Sequence, residues 1–141
     1  MSAIEREIRK KVKQWIVYAD EDLRLARHAM KLRTSVPYRL IAYHAQQSAE
    51  KYIKAYLVYK RIDFPYTHRI SLLLELCGQA ANWANTIEEA EKLSSYSVTA
   101  RYPGGEKPVT KSEAIRAIEI AGKVRRTVRH ALAEEGLDSG D

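Results

Sequence analysis

Four polar side chains in the stretch Tyr43 to Ala55 are spaced for chemistry: His44, Gln47, Lys51 and Lys54 fall at i, i+3, i+7 and i+10. On a helix, at about 100° per residue, they form one stripe. Two ammonium groups, an amide and an imidazole on one line can grip a phosphate and read a base edge. Lysine supplies charge, glutamine paired hydrogen bonds, and histidine a donor or proton shuttle. The same spacing fits an ordinary boundary stripe, with the stems of Lys51 and Lys54 laid around a core and their charges in water. Other chemistries find no footing. Gly104-Gly105 lacks the following Lys-Ser/Thr of a phosphate-binding loop. Cys77 has no cysteine partner for a zinc site and, inside an apolar segment, reads as a small buried hydrophobe. No His-Glu-x-x-His occurs, and Glu50 and Glu75 lack the Glu-x-x-His companions of a di-iron bundle. The expectation is a protein with no metal and no cofactor.

The stripe needs a helix to carry it, and the sequence supplies several. Ile4, Ile8, Val12, Trp15, Ala19, Leu23, Ala26 and Met30 recur at helical spacing. A second helix is predicted behind Ser35 and Pro37, a capping residue and a helix-tolerant proline. Its apolar side is Ile41, Ala45, Ala49, Tyr52, Tyr56 and Tyr59. A third is predicted from Thr67 as N-cap, through Leu72, Leu73 and Leu76, to Gly78. Thr86-x-x-Glu89 and Thr110-x-x-Glu113 match capping boxes, which start a short fourth helix and a long last one. The last has Ala114, Ile118, Ala121, Val124, Val128 and Leu132 on one side. Turn residues break the chain at 33–37 and 101–108, and more weakly at 62–66. No stretch alternates with period two. The expected fold is all-α: an up-and-down bundle of four to five helices, one domain over residues 1–141, with residues 136–141 a frayed tail.

Composition sets the class. The chain has 141 residues, a net charge of +6, 45% hydrophobic and 30% charged residues, enough for one core. One cysteine excludes an internal disulfide and with it a small oxidised scaffold. No apolar run approaches the roughly 18 residues of a membrane span, and the N-terminus has no apolar leader, so a cytoplasmic protein without membrane contact is expected. The basic excess lies in residues 1–60, with 13 Lys/Arg against 6 Asp/Glu. That asymmetry suits an anionic partner. It equally suits a solvated helical surface, since no run of like charge exceeds Arg9-Lys10-Lys11.

The run Tyr43-His44-Ala45-Gln46-Gln47-Ser48-Ala49-Glu50-Lys51-Tyr52-Ile53-Lys54-Ala55 resembles the hallmark of the HEPN family, the higher-eukaryote and prokaryote nucleotide-binding domains. That hallmark is an aromatic residue followed by His-Ala-Gln-Gln-x-Ala-Glu-Lys-x-x-Lys-Ala. Three further stretches fit in order. Trp15 with Ala19, Asp22-Leu23 and Ala26 looks like the first-helix signature. Thr67-His68-Arg69-Ile70 with Leu73 looks like the family's histidine entering the third helix. Thr99-Ala100-Arg101-Tyr102-Pro103-Gly104 is similar to the Arg-Tyr-Pro loop of one branch. The resemblance implies a compact helical bundle, a homodimer, and a nucleotide or RNA ligand. It also implies pairing with a minimal nucleotidyltransferase in a toxin–antitoxin-like couple.

Many HEPN proteins are metal-independent endoribonucleases with Arg-x(4–6)-His near the last core helix. Arg39/His44, Arg61/His68 and Arg125/His130 all satisfy that pattern here. Only the third lies in the last predicted helix, and Leu132 stands where the toxin form has tyrosine. Five residues on a helix is a rotation of about 140°, so Arg125 and His130 should point apart, whereas Arg126 and His130 would share a face. His130 also fits a cation near a helix C-terminus. In the Arg-Tyr-Pro loop, Arg101 can hold a phosphate and Tyr102 can stack on a base or accept a modification. A purely structural loop, with Arg101 on a carboxylate, fits as well. If RNA is cut, His44 or His68 would be the base toward the ribose 2′-OH and Arg101 the charge stabiliser. His68, just after Thr67, also suits packing or capping. The expectation is a nucleotide- or RNA-binding module partnered by a nucleotidyltransferase. A metal-independent endoribonuclease and a purely structural interaction protein are the alternatives.

Overall fold

Helices of this length are held mainly by packing an apolar face against neighbours, and the arrangement of the chain follows from which faces are shared. The computed structural model describes residues 1–97 and 107–137. They form α1 (Ala3–Ala29), α2 (Tyr38–Tyr59), α3 (Ile70–Gly78), a 3₁₀ segment (Trp83–Tyr96) and α4 (Lys111–Glu134), with no strand among the described residues. The expected all-α architecture is present. His44 meets Asp22, Ser48 meets Ala19 and Lys54 meets Trp15, so α1 and α2 run antiparallel. Ile41 clusters with Ala114 and Tyr56 reaches Glu135, so α2 and α4 run parallel. The 3₁₀ segment is the return leg between them, with Trp83 against Tyr56 and Tyr96 bonded to Glu113.

α2 is the central helix. Beyond the expected Ile41, Ala45, Ala49, Tyr52 and Tyr56, it also buries Ala42, Ile53, Ala55 and Leu57. Ala19 of α1 and Ala45 and Ala49 of α2 are fully buried. Cys77 on α3 is buried, and burial pushes its thiol up to about 12. Among the described residues no helix is long and apolar enough to cross a membrane.

Helix starts divide into local and tertiary cases. The Thr110–Glu113 box forms as its pattern predicts, with both hydrogen bonds present. The same box, unanticipated, opens α1 at Ser2 and Glu5. Three expected starts are corrected. Pro37 is itself the N-cap of α2 and makes no side-chain cap, while Ser35 sits before it in the left-handed region at φ 51°. Thr67 accepts a hydrogen bond from the Arg69 N–H, and α3 begins only at Ile70. The free N–H groups of Ile70 and Ser71 donate instead to Ser94 and Glu91 of the 3₁₀ segment. The Thr86–Glu89 box does not form. Ile87 leaves helical geometry, Thr86 donates to the Trp83 carbonyl, and Glu89 turns to Arg116 on α4 at 2.6 Å.

Two helices end in the same paired motif. At α4, Gly136 N–H donates to Ala133 and Leu137 N–H to Leu132, with Gly136 at φ 98°. Leu137 is buried, so Gly136 and Leu137 are fixed rather than frayed, and 138–141 lie outside the described residues. At α2, Arg61 N–H donates to Val58 and Ile62 N–H to Leu57. Here Arg61, not glycine, takes the left-handed position at φ 56°. A side chain there costs about 1–2 kcal/mol. Arg61→Gly is therefore expected to raise stability by about 0.5–1 kcal/mol, once glycine's greater unfolded-state freedom is allowed for. A urea melt checks this; a loss would mean that Arg61 makes contacts worth more than its strain.

Candidate functional site

The α1–α2 register is pinned by the Ser48 hydroxyl, which donates to the Ala19 carbonyl at 2.8 Å. That register sets Asp22 of α1 opposite His44 and Lys51 of α2. The His44 Nδ1 lies 2.9 Å from one carboxylate oxygen of Asp22, and the Lys51 Nζ lies 2.6 Å from the other. A carboxylate only accepts, so His44 donates through Nδ1–H, and its Nε2 keeps the lone pair in the neutral ring. Both side chains are about a quarter exposed, at 26% and 23%. Asp22 thus holds an oriented imidazole and an ammonium side by side at the surface.

The rest of the stripe is inward. Lys54 has a side chain only 7% exposed, and its Nζ lies 2.8 Å from Glu50, itself 4% exposed. Glu50 also accepts from the Gln46 amide at 2.8 Å and from His68 Nδ1 at 2.9 Å. The rings of Trp15, Phe64 and Tyr66 stand within 6 Å of the Lys54 ammonium. Burial alone would raise the Glu50 carboxyl. The bonds from Lys54, His68 and Gln46 outweigh it and hold the group below its usual range. Gln47 donates to Gln46 Oε1 at 2.7 Å. The expected line of four is corrected: α2 is central, so the stripe divides into an outward pair, His44 and Lys51, and a buried cluster around Glu50. Lys54 turns inward onto Glu50 and does not snorkel to water.

The Arg/His pairs separate as well. Asp20 on α1 takes Arg125 Nε at 3.1 Å, Arg129 Nη1 at 3.2 Å and the Tyr52 hydroxyl. Burial first, and then the Asp20 charge, push the Tyr52 hydroxyl well above its ordinary pKa. His130 points elsewhere: it is 75% exposed and bonds Glu134 at 3.0 Å. Arg126 and His130 do share a face, lining an open cleft of about 1150 Å³ with Tyr56 and Trp83. His68 is held by Glu50, while Arg61 lies exposed in the loop before it. Arg101 and Tyr102 lie outside the described residues. Among the described residues no three His, Cys, Asp or Glu side chains gather as a metal-ligand set. The partners Asp20 and Asp22 have no spacing signal of their own in the sequence, although Asp22 belongs to the first-helix signature.

The HEPN domain model matches residues 12–131. The chain belongs to the HEPN family. The match begins inside α1, at the first buried core residue Val12, and takes in Asp20, Asp22, all of α2 and α4 as far as Ala131. This HEPN chain is similar to the crystal structure of TT1696 from Thermus thermophilus, with a TM-score of 0.67 and 26% identity over 85% of this chain and 97% of that one. No curated protein matches the chain.

Proposed function

We propose that this HEPN chain is a nucleotide- or RNA-binding module with no bond-breaking chemistry of its own, working as a homodimer beside a minimal nucleotidyltransferase in a toxin–antitoxin-like pair. The observation that carries the reading is the divergence of the nuclease-type pair. Arg125 is committed to Asp20 on the α1 side, while His130 faces solvent with Glu134. Binding is supported by the Asp22-held pair of His44 and Lys51, which presents a ring nitrogen and an ammonium at the surface. The homodimer is supported by the outer face of α1. Ile4, Tyr18 and Leu25 are 65%, 44% and 52% exposed and share a seven-residue register with Lys11.

The Asp22–His44 contact favours a second reading, a metal-independent endoribonuclease. There His44 Nε2 would take the proton of a ribose 2′-OH, whose oxygen attacks the adjacent phosphorus. The 5′-oxygen would leave and take up a proton, and Lys51 would stabilise the added negative charge. One experiment separates the two. The protein is incubated with labelled single-stranded RNA in the presence of a chelator, and binding and fragment length are followed together. The expected result is intact, bound RNA, with Lys51→Ala weakening binding about tenfold, the effect of losing one charged hydrogen bond. Cleavage by the wild type that disappears in His44→Ala would overturn the first reading in favour of the second.

A further inference from the structure

The His44–Lys51 pair leaves the cations on the other flank of α1 unused. Arg24, Arg27, His28 and Lys31 fall at i, i+3, i+4 and i+7 in and just beyond its last turns, and all four are exposed. They line one side of a groove of about 540 Å³ whose other wall includes Arg125. Two acids also line it. Asp20 is spent on Tyr52, Arg125 and Arg129, and Glu21 sits among the α1 cations. No ion pair holds Arg24, Arg27, Lys31 or Arg126 among the described residues.

Gly122 of α4 marks where the two helices bring charge together. A Cβ placed there would lie 3.1 Å from Arg27 Nη2 and 3.5 Å from Arg126 Nη1. Two guanidinium groups from different helices therefore converge over bare backbone, and no ion pair holds either among the described residues. The α1 dipole favours cations at its C-terminus, which suits Arg27 and Lys31. It does not account for Arg126, which lies past the middle of α4. Converging like charges repel, and an oxyanion that accepts from both forks relieves that repulsion. From Arg24 to Lys31 the α1 cations spread over about 10 Å of helix, more than one phosphate group needs. We propose that the α1–α4 groove binds the phosphate backbone of single-stranded RNA, with Arg27, which lines the groove, and Arg126, which meets it beside the groove at Gly122, clamping one phosphate. The inference rests on the RNA-binding reading and places the strand on a surface separate from His44 and Lys51.

The test is fluorescence anisotropy with a short labelled single-stranded RNA across a salt series, with circular dichroism to verify folding. Arg27→Ala and Arg126→Ala are each expected to weaken binding about tenfold. Each should also flatten the plot of log affinity against log salt by about 0.7. Lys10→Ala removes an exposed α1 cation outside the groove and is expected to change affinity less than about twofold. Both arginines are exposed, so their loss should leave the melting temperature unchanged. Wild-type affinity and salt slope in the Arg27→Ala/Arg126→Ala double variant, with Lys51→Ala still weakened, would overturn the groove and leave the functional reading standing. Failure of the wild type to bind RNA would overturn both.

Discussion

Replacing Glu50 by alanine is expected to cost about 3–5 kcal/mol of folding stability, the scale for removing one partner of a buried charge pair. The carboxylate is almost fully enclosed and accepts hydrogen bonds from Lys54, Gln46 and His68. Without it the Lys54 ammonium stays buried among Trp15, Phe64 and Tyr66. The rings attract it, by about 0.5–2 kcal/mol for such contacts, but they replace neither the hydrogen bonds nor the opposite charge. The double variant Glu50→Ala/Lys54→Met is expected to recover most of the loss, because no uncompensated charge remains. Urea melts of the four proteins in this cycle measure it. A Glu50→Ala loss below about 1 kcal/mol would mean that Lys54 escapes to water.

The same group sets a pH dependence. Its pKa is lowered in the folded state, despite burial, by its three donors. Its contribution is therefore complete above the ordinary carboxylate range and is lost as the pH falls through the lower folded value. The wild type should lose stability steeply in acid, and Glu50→Gln should lose it less steeply.

Leu137→Ala should cost about 2–5 kcal/mol, the range for emptying a buried leucine site. Leu137 lies past the end of α4, yet it is 1% exposed and its N–H closes the helix on Leu132. Beside it the Glu135 carboxylate takes the Tyr56 hydroxyl and Lys60 at 2.6 Å each, fastening the C-terminus of α4 to that of α2. Gly136→Ala is a useful companion. Nothing crowds a methyl group there, so its cost is that of φ 98° alone, about 1–2 kcal/mol. Thermal melts compare the two. A change under about 0.5 kcal/mol for Leu137→Ala would show that the pocket closes over the missing side chain.

What the sequence made legible follows from distance along the chain. The Thr110–Glu113 box, the stop at Gly78 and most of the apolar sides of α1, α2 and α4 depend on neighbours within a turn or two and appear in the fold, whereas Ile4, expected on the inner side of α1, is 65% exposed. The Thr86 box obeys the same local rule and fails, because Arg116, 27 residues away, draws Glu89 off. The polar stripe of α2 was visible as a spacing. Its division into an outward pair and a buried cluster was not. That depends on Asp22 meeting α2 at His44 and Lys51 while the 64–68 loop meets it at Glu50 and Lys54, which only the tertiary packing decides. The meeting of Arg27 and Arg126 was hidden for the same reason, since nothing local to either residue specifies the other.

The position of Cys77 governs how the chain meets oxidants. Disulfides and peroxides react with thiolate, and a thiol whose pKa is pushed to about 12 holds almost none near neutral pH. The sulfur is also sealed between α3 and its neighbours, with no surface of its own. Two folded copies cannot be joined through it. A sulfur-linked dimer appearing on storage would therefore record opening of α3, while any native pairing of chains must be held without a covalent bond.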